Sequence, residues 1–164
     1  MPPQRNCDEP DASRAAKCWG DGNSGELGNN STIGAAVPVD VNGLSGLLGL
    51  AGGDGHSCTL KADRTVACCG GNTEGQLGNA STFQGSVNAL PKPVDGLAGV
   101  IALAAGRYHS STPKSDGSVA CFGQSTEKEL GSASTASQSA AVVVVGGLAR
   151  VVGITAGGGN SPSP

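Results

Sequence analysis

Large aromatic side chains are nearly absent from the 164-residue chain, which has one Trp, one Tyr and two Phe. Aromatic residues usually contribute much of the apolar surface of cores and interfaces, so a core here must be built from smaller side chains. Charged residues are also sparse, at 14%, and the net charge is only −3. Disordered chains usually combine low hydrophobicity with a large net charge. Because the chain has 28 Gly and 9 Pro, we expect a turn-rich β protein with a thin core.

Basic clusters and long apolar runs are absent as well. The ten Lys and Arg residues are scattered and the isoelectric point is near 5.2, so we expect no nucleic-acid partner. The longest apolar runs, such as residues 140–145, are far shorter than the roughly 18 residues of a membrane span, so we expect no membrane association. Residues 1–17 contain no apolar stretch, which argues against a secretory signal in this chain.

Two sequence blocks recur at a period of about 50 residues. The first block contains Cys-Trp-Gly at 18–20 and Gly-Glu-Leu-Gly at 25–28, and it returns at 68–78 and 121–131. The second block, residues 43–57, returns at 96–110 and 147–161. Two independent blocks with one period indicate a true repeat. The predicted units are 18–67, 68–120 and 121–164, within a single repeat domain 1–164 in which 1–17 is the remnant of a preceding blade.

Each unit is predicted to contain three or four short strands. Small-apolar runs indicate one strand per unit, and these runs are residues 47–52, 100–105 and 151–156. A hairpin follows, with residues 56–60 and 65–68 on either side of a turn; the second copy turns at Asp116-Gly117. A polar loop and a final short strand complete the unit. This pattern is typical of a propeller blade, so the predicted fold class is all-β: a partial β-propeller of about three four-stranded blades.

These motifs, together with the Ala-Ala-Gly-Arg-Tyr-His-Ser stretch at 104–110, resemble the repeat of the regulator of chromosome condensation family. The resemblance covers about residues 7–161. It implies blades that close into a ring of about seven, so three units indicate an arc, a fragment or a degenerate copy. The repeat-structural positions are Trp19, Gly20, Leu27, Gly28, His56, Gly70, Leu77, Gly78, His109, Asp116, Gly117, Gly123, Leu130 and Gly131.

Several positions depart from this pattern. Cys69 stands where Trp19 and Phe122 supply an aromatic ring, and so loses a large buried surface. Pro113 stands at the place of Leu60, where it cannot donate to a strand ladder. We therefore expect the second hairpin to be the weakest element of the arc.

The cysteines predict two disulfides. Cys58 and Cys68 lie symmetrically on either side of the hairpin turn and would face each other across its strands. Cys7 and Cys18 have similar spacing and form the equivalent candidate pair. Two such bonds would indicate an oxidising compartment. The alternative is buried free thiols in a reducing compartment, and the absence of a secretory signal favours that alternative, so localisation stays open.

No catalytic, metal or cofactor site is predicted. His56 and His109 occupy the same repeat position, which indicates a structural role in the blade rather than metal binding or base catalysis. The adjacent cysteines at 68–69 lack zinc-ligand spacing, and neither a nucleophile elbow nor a phosphate-binding loop occurs. We therefore expect a protein that is not an enzyme.

The preferred functional prediction is a non-catalytic module that binds an unknown protein through the loops at 29–35 and 79–89. Self-assembly that completes the propeller is a second route to a partner. The resemblance also implies a guanine nucleotide exchange factor-like regulator of a small GTPase. Two further alternatives are a propeller-type inhibitor of a secreted hydrolase and a truncated fragment with no independent function.

Overall fold

The computed structural model describes residues 6–8, 15–80, 85–131, 138–148 and 150–157. Within these residues the chain forms eleven β-strands and no α-helix, which confirms the all-β prediction, and it contains no helix with the length and hydropathy of a membrane span. The strands are β1 (Asn6–Cys7), β2 (Lys17–Gly20), β3 (Ala35–Asp40), β4 (Leu47–Gly52), β5 (His56–Lys61), β6 (Val66–Gly71), β7 (Val87–Pro93), β8 (Ala104–Ala105), β9 (His109–Pro113), β10 (Val119–Gln124) and β11 (Gln138–Val144).

The strands form three antiparallel sheets in which consecutive strands are neighbours. The first blade has the order β1-β2-β3, the second β4-β5-β6-β7 and the third β8-β9-β10-β11. Antiparallel four-stranded meanders of this kind are propeller blades, so the prediction of a partial propeller is confirmed. The predicted units 18–67, 68–120 and 121–164 are out of phase with the sheets, since each begins within β2, β6 or β10.

The innermost strand of each blade varies along the chain. Residues 47–52 form β4 as predicted, whereas only Ala104 and Ala105 of the run 100–105 form a strand, together with an isolated bridge at Val100. Pro113 explains the shortening because it occupies the position opposite this run and has no N–H to donate; its carbonyl still accepts the Ile101 N–H at 3.0 Å. Residues 151–156 form no strand, since none of the described residues supplies a ladder partner.

The two hairpin turns share one arrangement around an aspartate. The Asp63 carboxylate accepts the Thr65 N–H at 3.0 Å and the Thr65 hydroxyl at 2.6 Å. Asp116 accepts the same two bonds from Ser118, at 2.9 and 2.5 Å. The following residue is left-handed in both turns, with φ of 65° at Arg64 and 82° at Gly117. Arg64 therefore carries a backbone cost of roughly 1 kcal/mol that Gly117 avoids.

These turns lower the pKa of both carboxyl groups. Hydrogen bonds from the Thr65 side chain, the Thr65 backbone and Lys61 lower the pKa of Asp63 from 3.8 to about 2. The equivalent bonds from Ser118 and Lys114 lower the pKa of Asp116 in the same way. Both carboxylates are solvent-exposed, so they stabilise the turns locally rather than the core.

The main core lies between blades rather than within one. It joins Leu60, Val66 and Leu77 of the second blade to Ala120 and Phe122 of the third. Phe122 is fully buried and is the largest buried side chain among the described residues. Its ring lies over Gly78, where a Cβ would come within 2.9 Å of the ring. A glycine under an aromatic ring thus sets the distance between the second and third blades.

The junction of the first and second blades uses the same position with a smaller side chain. Cys69 lies over Gly28, whose Cβ would come within 3.1 Å of the Cys69 sulfur. Cys69 is buried, as Phe122 is, but it presents far less apolar surface to its neighbour. The substitution noted in the sequence therefore lies at a blade junction.

The cysteine positions repeat along the blades. Cys58 and Cys68 lie directly opposite each other on β5 and β6 and form a disulfide with an S–S distance of 2.03 Å. Cys7 and Cys18 form the equivalent bond between β1 and β2, at 2.12 Å. In the third blade Ser111 takes one of the two places, and Cys121 donates a hydrogen bond to its hydroxyl at 3.1 Å. Cys69 and Cys121 are buried and lie outside the two disulfides, and the Cys69 thiol donates to the Glu26 carbonyl at 3.6 Å.

We predict that the hairpin turns weaken in acid. Because the folded-state pKa of Asp63 lies below its usual value, its contribution is present above about pH 4 and is lost as the pH falls towards 2. Denaturant unfolding should be measured at a series of pH values from about 5 to about 2. The free energy of unfolding should fall as the pH is lowered. A double variant, Asp63→Asn with Asp116→Asn, should lose less over the same range, and equal losses in the two proteins would contradict the prediction.

Truncation of the junction ring should destabilise the arc. We expect Phe122→Ala to lower the free energy of unfolding by about 3–5 kcal/mol, because it leaves a cavity over Gly78. Urea unfolding followed by circular dichroism measures the change. Val144→Ala is the matched control, since Val144 is 58% exposed on the same sheet, and it should change stability by less than about 0.5 kcal/mol.

A third disulfide should form on introduction of one cysteine. Ser111→Cys places a thiol directly opposite Cys121 at the position of the Cys58–Cys68 bond. Alkylation after unfolding without reductant, read by mass spectrometry, should label two cysteines in the parent and one in the variant. Thr112→Cys is the control because Thr112 faces Ala120, and it should add a labelled thiol; the same result for Ser111→Cys would contradict the prediction.

Candidate protein-binding surface

The loops that precede the outer strands of the first two blades meet each other. The Asn30 N–H donates to the Ala89 carbonyl at 2.9 Å, and Gly25 packs so closely on Ala89 that a Cβ there would lie 2.8 Å from the Ala89 Cα. The two segments, residues 29–37 and 85–90, therefore form one continuous surface across the blade junction. We refer to it as the loop surface.

The loop surface is uncharged and combines polar side chains, such as Asn30 and Thr32, with exposed apolar ones. Ile33 is 75% exposed, Val37 65% and Val87 49%. No Asp, Glu, Lys or Arg occurs in residues 29–37 or 85–90. Exposed apolar side chains in a region without charge are found in the central part of protein-binding interfaces. The predicted loops at 29–35 and 79–89 fall here, with residues 81–84 outside the described part of the chain.

A repeated tight turn anchors each of these loops to its blade. The carboxylate of Glu26 accepts the Ser24 N–H at 2.8 Å, and Gln76 accepts the Glu74 N–H at 2.9 Å in the next blade. The adjacent leucines, which are Leu27, Leu77 and Leu130, are all at most 2% exposed. The loops thus project from a fixed base, so their exposed residues are held in place by the core beneath them.

One glycine of each repeat lies where a side chain would collide with the neighbouring strand of the same hairpin. Gly70 has φ of 115°, and a Cβ there would lie 2.6 Å from the His56 Cα; Gly123 has φ of 109° with the same relation to His109. Gly20 occupies the equivalent place in the first blade, with φ of 103°. Their backbone conformation favours glycine, and the lack of a side chain brings the hairpin strands together.

The two histidines lie at blade faces. His56 is fully buried, and its Nε2 lies 2.9 Å from the Ser110 hydroxyl of the third blade. His109 holds the same position in the third blade, and burial lowers its pKa. Among the described residues no group of three or more His, Cys, Asp or Glu side chains is placed to hold a metal ion.

A cavity of about 830 Å³ opens on the side of the third blade that faces away from the second. His109, Cys121 and Glu129 are among its lining residues. Burial raises the pKa of the Cys121 thiol and lowers that of His109. An activated cysteine requires the opposite shift of its thiol pKa. Cys121 also donates its hydrogen bond to Ser111 rather than to an imidazole, so this group is not arranged as a nucleophile and base.

Sequence reasoning identified the blade core but not the loop surface as a unit. The contact between Asn30 and Ala89 joins two repeats 59 positions apart in the chain. The signal available in the sequence was the absence of charge from both loops. The ion pair between Asp54 and Arg107, at 3.3 Å, joins the second and third blades and was not predicted. Neither residue type recurs at this position in the other repeats.

The comparisons with known proteins agree with this architecture. The family model of the regulator of chromosome condensation (RCC1) repeat matches residues 18–60 and 65–112. No curated protein sequence matches the chain.

Solved structures resemble the arc at low sequence identity. Human WBSCR16 is 20% identical with a TM-score of 0.72, over 86% of this chain and 37% of that protein. Yeast RCC1, Prp20, solved bound to Kap60, is 21% identical with a TM-score of 0.72, over 88% and 36%. Prp20p from Saccharomyces cerevisiae, whose binding to Gsp1p and histones is described with its structure, is 20% identical with a TM-score of 0.68, over 88% and 37%. The chain therefore spans little more than a third of each.

The matched repeats cover more than half of the chain, and the sheets they encode are propeller blades. The protein belongs to the regulator of chromosome condensation (RCC1) repeat family.

Proposed function

We propose that the chain is a non-catalytic module that binds another protein through the loop surface. The observation that carries this proposal is the exposure of Ile33, Val37 and Val87 on a surface without charged residues. Rigid blades beneath variable loops are a common way to present a binding site. The patch lacks the Lys and Arg side chains that bind phosphate, which favours an apolar protein surface as its partner.

The titratable groups support a binding role over catalysis. The two carboxylates with the lowered pKa, Asp63 and Asp116, are each engaged with a hydroxyl and an N–H of their own turn. These bonds stabilise the hairpins, and both carboxylates are exposed to solvent rather than set in a cleft. Repeats of this family generally serve as binding or regulatory scaffolds, which agrees with this arrangement.

We also propose that the protein matures in an oxidising compartment. Two disulfides at equivalent blade positions, Cys7–Cys18 and Cys58–Cys68, support this. Such bonds persist where thiols are not kept reduced.

Gsp1p and histones are the first partners to test, because Prp20p binds them. A cell extract, with bound proteins identified by mass spectrometry, widens the test beyond these two probes.

Charge placed on the loop surface should weaken partner binding. We expect the double variant Ile33→Asp with Val37→Asp to reduce affinity on the order of ten-fold or more, since both side chains would lie at the interface centre. Biolayer interferometry with the immobilised chain measures the change.

The control for this experiment is Val144→Asp, an exposed apolar residue on the outer strand of the third blade. It should leave affinity within about two-fold of the parent. A partner whose binding survives the loop variant would show that the loop surface is not the binding site.

A further inference from the structure

Three Asn-x-Ser/Thr motifs lie in the loops that follow the repeated Leu-Gly of the first two blades. Their asparagines are Asn29, Asn30 and Asn79, and the middle residue is never proline. This motif is the acceptor sequence for an N-linked glycan, a bulky and hydrophilic group carried on surface loops of secreted proteins. The three asparagines differ in exposure and in hydrogen bonding, so they are not equivalent as acceptors.

Asn79 is enclosed by its own blade. Its side chain belongs to a residue that is only 6% exposed, and its Nδ2 donates to the Pro93 carbonyl at 3.2 Å. A glycan is attached to this same nitrogen, where it would have to occupy the packed space between the loop and the outer strand. The folded blade therefore has no room for a sugar on Asn79.

Asn29 holds the place of Asn79 one repeat earlier and is half-buried. Its Oδ1 accepts the Ser31 N–H at 3.2 Å, which closes a local turn. The Ser31 hydroxyl is the third member of the Asn29 motif, and it accepts the Ile33 N–H at 3.1 Å. Both polar side chains of this motif are thus used to shape the loop.

The Asn30 motif differs because both of its ends are in solvent. Asn30 and Thr32 are exposed. Asn30 has a left-handed backbone, with φ of 64°, and its N–H donates to the Ala89 carbonyl at 2.9 Å. Residues 29–34 form no strand, so an enzyme can bind this segment without unpairing a sheet. The acceptor side chain is therefore accessible while its backbone is fixed to the next blade.

We propose that Asn30 is the acceptor of an N-linked glycan. In the transfer, the Asn30 Nδ2 loses a proton and forms a bond to the first sugar carbon of a lipid-pyrophosphate oligosaccharide. The bond from that carbon to the pyrophosphate breaks, and the pyrophosphate leaves with the electron pair and takes up the proton. The inference rests on the proposed maturation in an oxidising compartment, because this modification and disulfides are both typical of secreted proteins.

A glycan on Asn30 would lie on the loop surface. Ile33 follows Asn30 in the same loop and is 75% exposed. A bulky hydrophilic group beside it restricts the approach of another protein. We therefore expect a partner of the loop surface to bind the unmodified chain more tightly than the glycosylated one, so that occupancy of Asn30 regulates binding.

The acceptor can be located in chain secreted from a eukaryotic host behind a cleavable signal peptide. Digestion with a peptide:N-glycanase in heavy-oxygen water converts a modified asparagine to a labelled aspartate, which peptide mass spectrometry locates. We expect the label at Asn30 and none at Asn29 or Asn79. Alkylation of the same sample without reductant reports the Cys7–Cys18 and Cys58–Cys68 disulfides, so oxidising maturation is measured separately.

Two neighbouring substitutions separate the overlapping motifs. Thr32→Ala removes the Asn30 motif and keeps the Asn29 motif, and it should abolish nearly all of the glycan. Ser31→Ala is the matched control, since it removes the Asn29 motif and keeps the Asn30 motif, and it should retain the glycan. Circular dichroism should show that both variants keep the strands of the arc.

A disulfide-bonded chain without a glycan overturns the proposal and leaves oxidising maturation in place. A glycan that survives Thr32→Ala, or a label at Asn29 or Asn79, also overturns it. Equal affinity of the glycosylated parent and of Thr32→Ala for a partner, measured by biolayer interferometry, would contradict regulation by the glycan. Partner binding by the unmodified chain is measured separately, so either proposal can fail alone.

Discussion

The arc depends on one contact between blades. The side chain at the Phe122 position of a blade packs on the glycine at the Gly78 position of the preceding blade. Sheets built from Ala, Gly, Val and Ser present little apolar surface, so no blade forms a substantial core alone. The main core lies where the second and third blades meet, and Phe122 over Gly78 supplies the largest buried side chain among the described residues. Because the glycine has no Cβ, the backbones approach closely enough for His56 and Ser110 to bond across the junction. Packing and polar pairing are therefore set by the same spacing.

Much of this fold is readable from the sequence because the controlling interactions are local or periodic. Five residues on either side of Asp63 are enough to place Cys58 opposite Cys68, and the disulfide follows. The turn itself is encoded by Asp63, whose carboxylate needs only the residue two positions on. The repeat period then carries that geometry to Asp116. Turns and disulfides that depend on residues close together in sequence can therefore be predicted, and the repeat period predicts where they recur.

The features that were not predicted come from contacts between repeats. The ion pair between Asp54 and Arg107 joins the second and third blades at residues that differ between repeats. The loop surface follows from the bond between Asn30 and Ala89, two residues in different blades. Neither contact has a local signature. A residue's role also depends on its blade: His56 is buried in a junction, while His109 lines an open face.

The two junctions differ in strength, and this connects the fold to binding. The second junction has Phe122 and the Asp54–Arg107 ion pair, whereas the first has Cys69 and a bond from the Ser57 hydroxyl to the Glu26 carbonyl. The first junction has the smaller side chain at this position, so we expect local opening of the arc there first. The loop surface spans this weaker junction, since its two halves belong to the first and second blades. A partner that contacts both halves binds only the closed state, and by mass action it stabilises the junction beneath it.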